Sequence, residues 1–249
     1  GSGVDLSRAL QAPSGAHWAG TDHAGRDLLV RVAQGLRVSL AIAVLAALGS
    51  VLIGVLVGAA AASLGGWADA LLMRSGDAVA ALPHLVLGLV VVAMCPGSVV
   101  AIVASIALTH WPTVARVVRA ETQAVLASEY VACSRVAGAS STQIVRHHVL
   151  SAVAPQTALA VTMLVPHAIW HESTLSFLGI GLRPEQASLG TLIATVGGLL
   201  ARDVVPFVVS PTTTLVPLVL LVVLGLLGAL VSLRRIATVD PNSALGAAR

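Results

Sequence analysis

The chain has 249 residues, 57% of them hydrophobic and 10% charged, with a mean hydropathy of +0.94. Soluble domains carry about 25% charged residues, so this composition excludes a soluble globular domain and defines an integral membrane protein. All 14 basic residues are Arg, which excludes a Walker A phosphate loop, because that pattern requires Lys; any ATP-driven work belongs to another chain. The net charge of +3 and pI of 9.7 do not point to nucleic acid, since aromatics are only 3% and no basic stripe is interleaved with them. Cys95 and Cys133 have neither zinc-ligand spacing nor a disulfide framework.

Residues 1–35 are polar, with Asp5, Arg8, Asp22, Arg26, Asp27 and Arg31, and contain no signal-peptide pattern. A helix needs about 20 apolar residues to cross a hydrocarbon core of about 30 Å. Leu36 to Leu64 is the first such run, and its Gly49, Gly54 and Gly58 suit close helix packing. Ala78 to Ala115 has no charged side chain and is too long for one crossing. Cys95-Pro96-Gly97-Ser98 divides it into a hairpin of two spans, with Pro83 and Pro112 placed to bend them. Val149 to Trp170 is the fourth span. Val204 to Leu233 is the fifth, bent near Pro206, Pro211 and Pro217. The apolar stretch from Ala187 to Ala201 is too short to span and is expected to be interfacial or re-entrant. These runs exceed barrel strands in length, so the fold class is all-α, a polytopic membrane helix bundle of about five spans.

Between the third and fourth spans lies a polar island from Arg116 to His148, which must face water. Ser128 is placed to cap a short helix, Glu129 suits its first turn, and Gly138 supplies a left-handed stop. Ser140 and Gln143 fit a capping box that opens a second helix running into span four. The expectation is a stiff helix–glycine–helix hairpin, with an ordinary polar loop as the alternative. Arg74, Arg116, Arg119, Arg135, Arg146, Arg234, Arg235 and Arg249 fall on the island's side of the membrane, against six Arg on the other; this bias places the island in the cytoplasm. The expected organisation is therefore a polar extracytoplasmic segment 1–35 and a transmembrane domain 36–233. That domain carries a cytoplasmic loop 116–148 and an extracytoplasmic loop 171–203, and a cytoplasmic tail 234–249 follows.

Outside the island, His167 and His171 stand four apart with Glu172 next. Histidines at i and i+4 can hold a metal, but the metalloprotease pattern places its glutamate between the ligands. His167, His171 and Glu172 therefore read first as polar residues at a water-facing span end, with a metal site as the alternative and a substrate or haem-like contact as a further open role. Asp69, Arg74 and Asp77 read as interfacial anchors of the link into the second span, although Arg74 and Asp77 are also spaced to pair along a helix. His84 and His110 read as hydrogen-bonding residues of the bundle interior.

The island resembles the E-A-A-x-x-x-G loop of ABC importer permeases, specifically the C-type permease of the dipeptide/oligopeptide/nickel group. Glu129-Tyr130-Val131, Arg135, Gly138-Ala139-Ser140, Ile144 and His148-Val149-Leu150 carry the match. Three further segments resemble the same family in order: Gly20-Thr21-Asp22-His23-Ala24-Gly25-Arg26-Asp27, the Gly65–Arg74 link, and Glu172-Ser173-Thr174-Leu175-Ser176-Phe177-Leu178-Gly179-Ile180-Gly181. A closing Val239-Asp240-Pro241 completes it. The resemblance implies a non-catalytic permease subunit in the cell membrane, where Glu129, Arg135, Gly138, Ala139 and Ser140 belong to a coupling helix docked on an ATPase. It also implies a second homologous permease, two ATPase subunits carrying ATP and Mg, an extracytoplasmic substrate-binding protein and no cofactor in this chain. Three departures stand out. Ala132 replaces the motif's glutamate, Ser151 replaces a proline, and the family pattern lacks His167 and His171. Its helix ahead of the G-T-D segment also has no counterpart in residues 1–19. The competing reading is an intramembrane metal-dependent hydrolase using His167, His171 and Glu172. A secondary transporter is disfavoured because the spans lack a coupling carboxylate.

Overall fold

The computed structural model describes residues 5–183 and 185–200, together with Val219, Val223 and Leu230, which are helical. The expected fifth span and the tail 234–249 otherwise lie outside the described residues. The chain divides into two compact units, residues 34–195 and residues 1–33 with 196–249. Among the described residues the regular secondary structure is helical, apart from one antiparallel bridge between Thr21 and Asp27.

In the unit that holds the amino-terminal residues, the Gly20–Asp27 motif is a polar knot. Asp22 accepts from the backbone amides of Ala24 and Arg26, from Arg26 Nε at 2.9 Å and from Arg31 Nη1 at 2.6 Å. Thr21 donates to the Arg8 carbonyl and accepts from the Gln11 amide. Asp27 joins His17 Nδ1 at 2.9 Å and accepts from the Val30 amide in the first turn of α1.

The larger unit is organised around α4, Val99–Leu126. Helix α1, Leu28–Leu64, starts eight residues before the expected span. Along it Leu45, Leu48, Leu52 and Leu56 form an exposed apolar row at helical spacing, as a lipid-facing side requires. On its other side Ile42, Ala43 and Ala46 pack with Val92, Ile102, Ile106, Ala168 and Leu175 in one apolar core. The small residues lie where the sequence places the contact: a Cβ on Gly54 would stand 2.5 Å from Val114 Cβ, and one on Gly58 would stand 2.5 Å from the Ala115 carbonyl oxygen. Backbone therefore lies against backbone, which membrane helices achieve with small residues.

The second expected span is not a straight helix. Its place is taken by α2, Gly66–Ala80, and α3, His84–Ala93, which meet at 83°. Pro83 opens α3 from outside, where its fixed φ and missing N–H do no harm, and it disfavours helical backbone at Leu82. Ten residues rise only about 15 Å, half a hydrocarbon core. Helix α2 is pinned to α4 by Asp69, which takes a two-pronged hydrogen bond from Arg119, and by Asp77, which accepts from Arg116 Nη2 at 2.8 Å. Asp77 thus pairs across the fold and not with Arg74 as its spacing suggests. Pro112 sits within α4, which continues as one helix.

A turn at residues 94–98, with Gly97 at φ +76, joins α3 to α4 as expected. Beyond α4 come α5, Glu129–Val136, and α6, Ser141–Ile144. A π-helical segment, Val145–Val149, then leads into α7, Leu150–Phe177. Residues 141–177 together form one long apolar helix. The stretch expected to be re-entrant contains α8, Leu189–Leu200. By length and composition three helices suffice to cross a membrane, or four if α2 and α3 count as one broken span; among the described residues the expected count of five is approximate.

Candidate functional site: the Gly138 corner and a group of histidines

The polar island divides in the structure. Arg116 and Arg119 belong to α4, so only the short stretch after Leu126 leaves the long helices. Helix α5 begins after Ser128, but the Ser128 hydroxyl turns back to the Val125 carbonyl and does not cap it. Gly138 ends the helix at φ +90, a conformation disfavoured for side-chain-bearing residues. Its amide bonds to the Arg135 carbonyl, and the Ala139 amide bonds to that of Ser134, both at 3.0 Å. The capping box is formed: Gln143 N donates to Ser140 Oγ at 3.3 Å, and Ser140 N donates to Gln143 Oε1 at 2.8 Å.

The corner is held from beneath and open above. Val131, Ile144 and Val149 are buried with Val114, Val118, Val125 and Val153. His148 Nε2 lies 3.2 Å from Ser134 Oγ, and its ring meets Tyr130 edge-on at 5.4 Å, which ties α5 to the π-helical segment. Above this lies an open concavity of about 390 Å³ lined by Ser134, Ala137, Gly138, Ala139, Gln143, His147 and His148. Of the coupling candidates, Gly138, Ala139 and Ser140 form the corner itself. Glu129 and Arg135 are exposed on α5, as is Ala132. Val136 is 91% exposed at the tip.

The metal candidates separate. Glu172 is fully buried, and both its oxygens are engaged: Oε2 accepts from Ser39 Oγ at 2.6 Å and Oε1 from Ser176 Oγ at 2.8 Å. Those hydroxyls in turn accept from the Leu189 and Leu182 amides. Glu172 is a structural tie between α1, α7 and the segment that follows, and is not placed to act as a hydrolytic base. The two histidines are instead joined by two others. His84 at the start of α3, His110 in α4, and His167 and His171 in α7 bring four rings together with centroid separations from 4.7 to 5.9 Å. His84 is exposed, contrary to its reading as a bundle-interior residue. Sequence spacing links only the pair on α7. The available signal for the rest was the presence of His in charge-free runs on three separate helices.

The described residues thus form a helical bundle with helices apolar and long enough to cross a membrane and an exposed glycine corner between α5 and α6. Residues 50–237 match the family described as the inner membrane component of binding-protein-dependent transport systems, and the chain belongs to that family. The chain is 35% identical to the oligopeptide transport system permease OppC of Bacillus subtilis over 77% of its own length and 63% of that relative. It is 39% identical to the dipeptide permease DppC of the same organism over 80% of the chain and 59% of the relative. With the nickel permease NikC of Escherichia coli K12 it shares 32% identity over 76% of the chain and 69% of the relative. The chain thus spans less than two thirds of the length of the two Bacillus relatives. In fold it is similar to a chain of the inward-facing MetNI methionine ABC transporter, with a TM-score of 0.62 and 20% identity over 86% of this chain and 98% of that one. A chain of an amino acid ABC transporter gives 0.59 and 17% identity, over 83% and 94%. These matches are to transport components, and the hydrolase reading, which also loses Glu172, finds no support.

Proposed function

We propose that the chain is a permease subunit of an ATP-driven ABC importer for dipeptides, oligopeptides or a related small solute. The exposed helix–Gly138–helix corner, running directly into residues 141–177, carries this reading. A partner that grips α5 and α6 pushes on the end of a continuous helix, and helices transmit such displacement because their backbone hydrogen bonds resist shear. The occupant is a cytoplasmic ATPase subunit. Two such subunits bind ATP and Mg, a second homologous permease completes the pathway, and an extracytoplasmic binding protein delivers the solute. The chain itself needs no cofactor and does no chemistry. Glu129, Arg135, Gly138, Ala139 and Ser140 form the docking face. Ala132 leaves that face without the acidic anchor of the family motif, so shape and Glu129 hold the joint.

The test is purification of the assembled complex from its native membrane, followed by ATPase assay with Gly138→Pro and Arg135→Glu variants. Both variants keep the partner's basal hydrolysis but lose transport and solute-stimulated hydrolysis. Full coupling in both would overturn the docking assignment.

A further inference from the structure

We propose that His84, His167 and His171, backed by His110, form a binding site for a divalent first-row transition cation such as Ni²⁺, Cu²⁺ or Zn²⁺. Among the described residues these three histidines offer ring nitrogens that all lie within 4.8 Å of one another. His167 Nε2 and His171 Nε2 are already 3.1 Å apart. Two imidazoles on one tetrahedral ion, each with a metal–nitrogen bond of about 2.0–2.1 Å, hold their nitrogens about 3.3–3.4 Å apart. The α7 pair therefore needs almost no movement to chelate. The third nitrogen, within 4.8 Å of the other two, must close in by at most about 1.4 Å on the same geometry, and His84 is free to do so because it is exposed at the first residue of α3, beside the Pro83 break.

The surroundings fit a ligand set better than a packing accident. A histidine that merely fills a helix bundle satisfies itself on backbone carbonyls, and His110 alone follows that pattern. Its Nδ1 lies 2.9 Å from the Ile106 carbonyl oxygen, to which it donates, and 2.7 Å from Thr109 Oγ1. This bond fixes the tautomer and leaves the Nε2 lone pair available, the arrangement that outer-shell hydrogen bonds give to metal-binding imidazoles. His167 and His171 instead turn to each other. His171 is 2% exposed, and the Trp170 ring stands perpendicular to it at 5.1 Å, so one side of the group is shielded from water. No carboxylate joins the set, because Glu172 is committed to Ser39 and Ser176. An all-imidazole site favours borderline ions over Mg²⁺ or Ca²⁺, which take oxygen ligands.

Three protein nitrogens leave at least one coordination position open, as in exchangeable sites and unlike closed structural ones. That position can hold water or a donor atom of a small chelating solute. A passing, ligand-carried ion as the occupant rests on the permease reading; the site itself does not.

The probe is Co²⁺ and then Ni²⁺, titrated into the full chain in nanodiscs with no histidine tag. Co²⁺ visible absorption reports coordination geometry, and equilibrium dialysis gives Ni²⁺ stoichiometry. One saturable equivalent per chain is expected, with the strong bands of four-coordinate Co²⁺. His84→Ala or His167→Ala removes the saturable equivalent, and His110→Ala, whose ring packs against the set, weakens binding by a smaller factor. His23→Ala, at an exposed residue remote in sequence, leaves it unchanged. Thermal melts identify any variant that fails to fold, and His84→Ala, at an exposed position, carries the result if His171→Ala unfolds. Absence of a saturable equivalent, or wild-type affinity in folded His84→Ala and His167→Ala, overturns the site. Metal binding together with full ATPase coupling in Gly138→Pro and Arg135→Glu would instead overturn the docking assignment alone.

Discussion

At the scale of single residues, Asp22 is a heavily engaged carboxylate among the described residues outside the spans. Burial works to raise its pKa, but hydrogen bonds from Arg31, from the Arg26 and Ala24 amides and from the Arg26 side chain outweigh burial and hold it below its ordinary value of 3.8. Asp27 is held low in the same way: burial raises it, and His17 with the Val30 and Leu29 amides more than compensates. A carboxyl whose native pKa is depressed contributes stability that is fully present above its unfolded value and is lost as pH falls through the native one. The knot around Gly20–Asp27 should therefore hold at neutral pH and loosen only below about 3.8. Hydrogen-exchange protection of residues 17–31, corrected for the intrinsic pH dependence of exchange, measures this. Asp22→Asn should lose protection at neutral pH and flatten the acid transition; unchanged protection in that variant would show that Asp22 does not hold the knot.

Among elements, the α1–α4 contact is a close backbone joint and sensitive to volume. A side chain at Gly58 meets backbone, the Ala115 oxygen at 2.5 Å and the Arg119 nitrogen at 3.0 Å, and neither can rotate away. Gly58→Leu should destabilise the bundle by about 1–3 kcal/mol, the range for overpacking, read as a lower melting temperature in detergent. Gly49→Ala, whose added carbon would meet only Ala107 Cβ at 3.2 Å, should melt much nearer wild type. Equal melting of Gly58→Leu and wild type would refute the close approach. This joint was legible in the sequence because glycines at helical spacing have one main use in a membrane helix. The Gly138 stop, the Ser140–Gln143 box and the turn at Cys95–Ser98 were legible for a similar reason, since each is decided within four residues. Ser128 was misjudged because its hydroxyl had two local acceptor or donor choices, and the Val125 carbonyl won. Helix α2 was missed as an element because its acids look like interfacial anchors. Their partners, Arg116 and Arg119, lie 39 and 50 residues away.

For the whole molecule, the order of spans rests on α4 crossing the membrane between two ends that differ in character. Its 28 residues rise about 42 Å, more than the hydrocarbon thickness of about 30 Å. One end follows the Cys95–Ser98 turn and the other leads to the docking corner, so the chain's only two cysteines, both exposed, mark opposite faces. The four-histidine group, by contrast, was only half legible along the chain: spacing paired His167 with His171, while His84 and His110 looked like solitary polar residues until α3, α4 and α7 packed. Sidedness decides whether the Gly138 corner can meet an ATPase at all. A membrane-impermeant maleimide added to right-side-out vesicles should modify Cys95 and spare Cys133, and inside-out vesicles should reverse the pattern. Cys95→Ser and Cys133→Ser assign each band. Modification of both cysteines from one side would mean that α4 does not cross, and the spans would have to be redrawn. Modification of Cys133 alone from outside would keep the crossing but put the corner on the face without ATP, and the coupling role would fall with it.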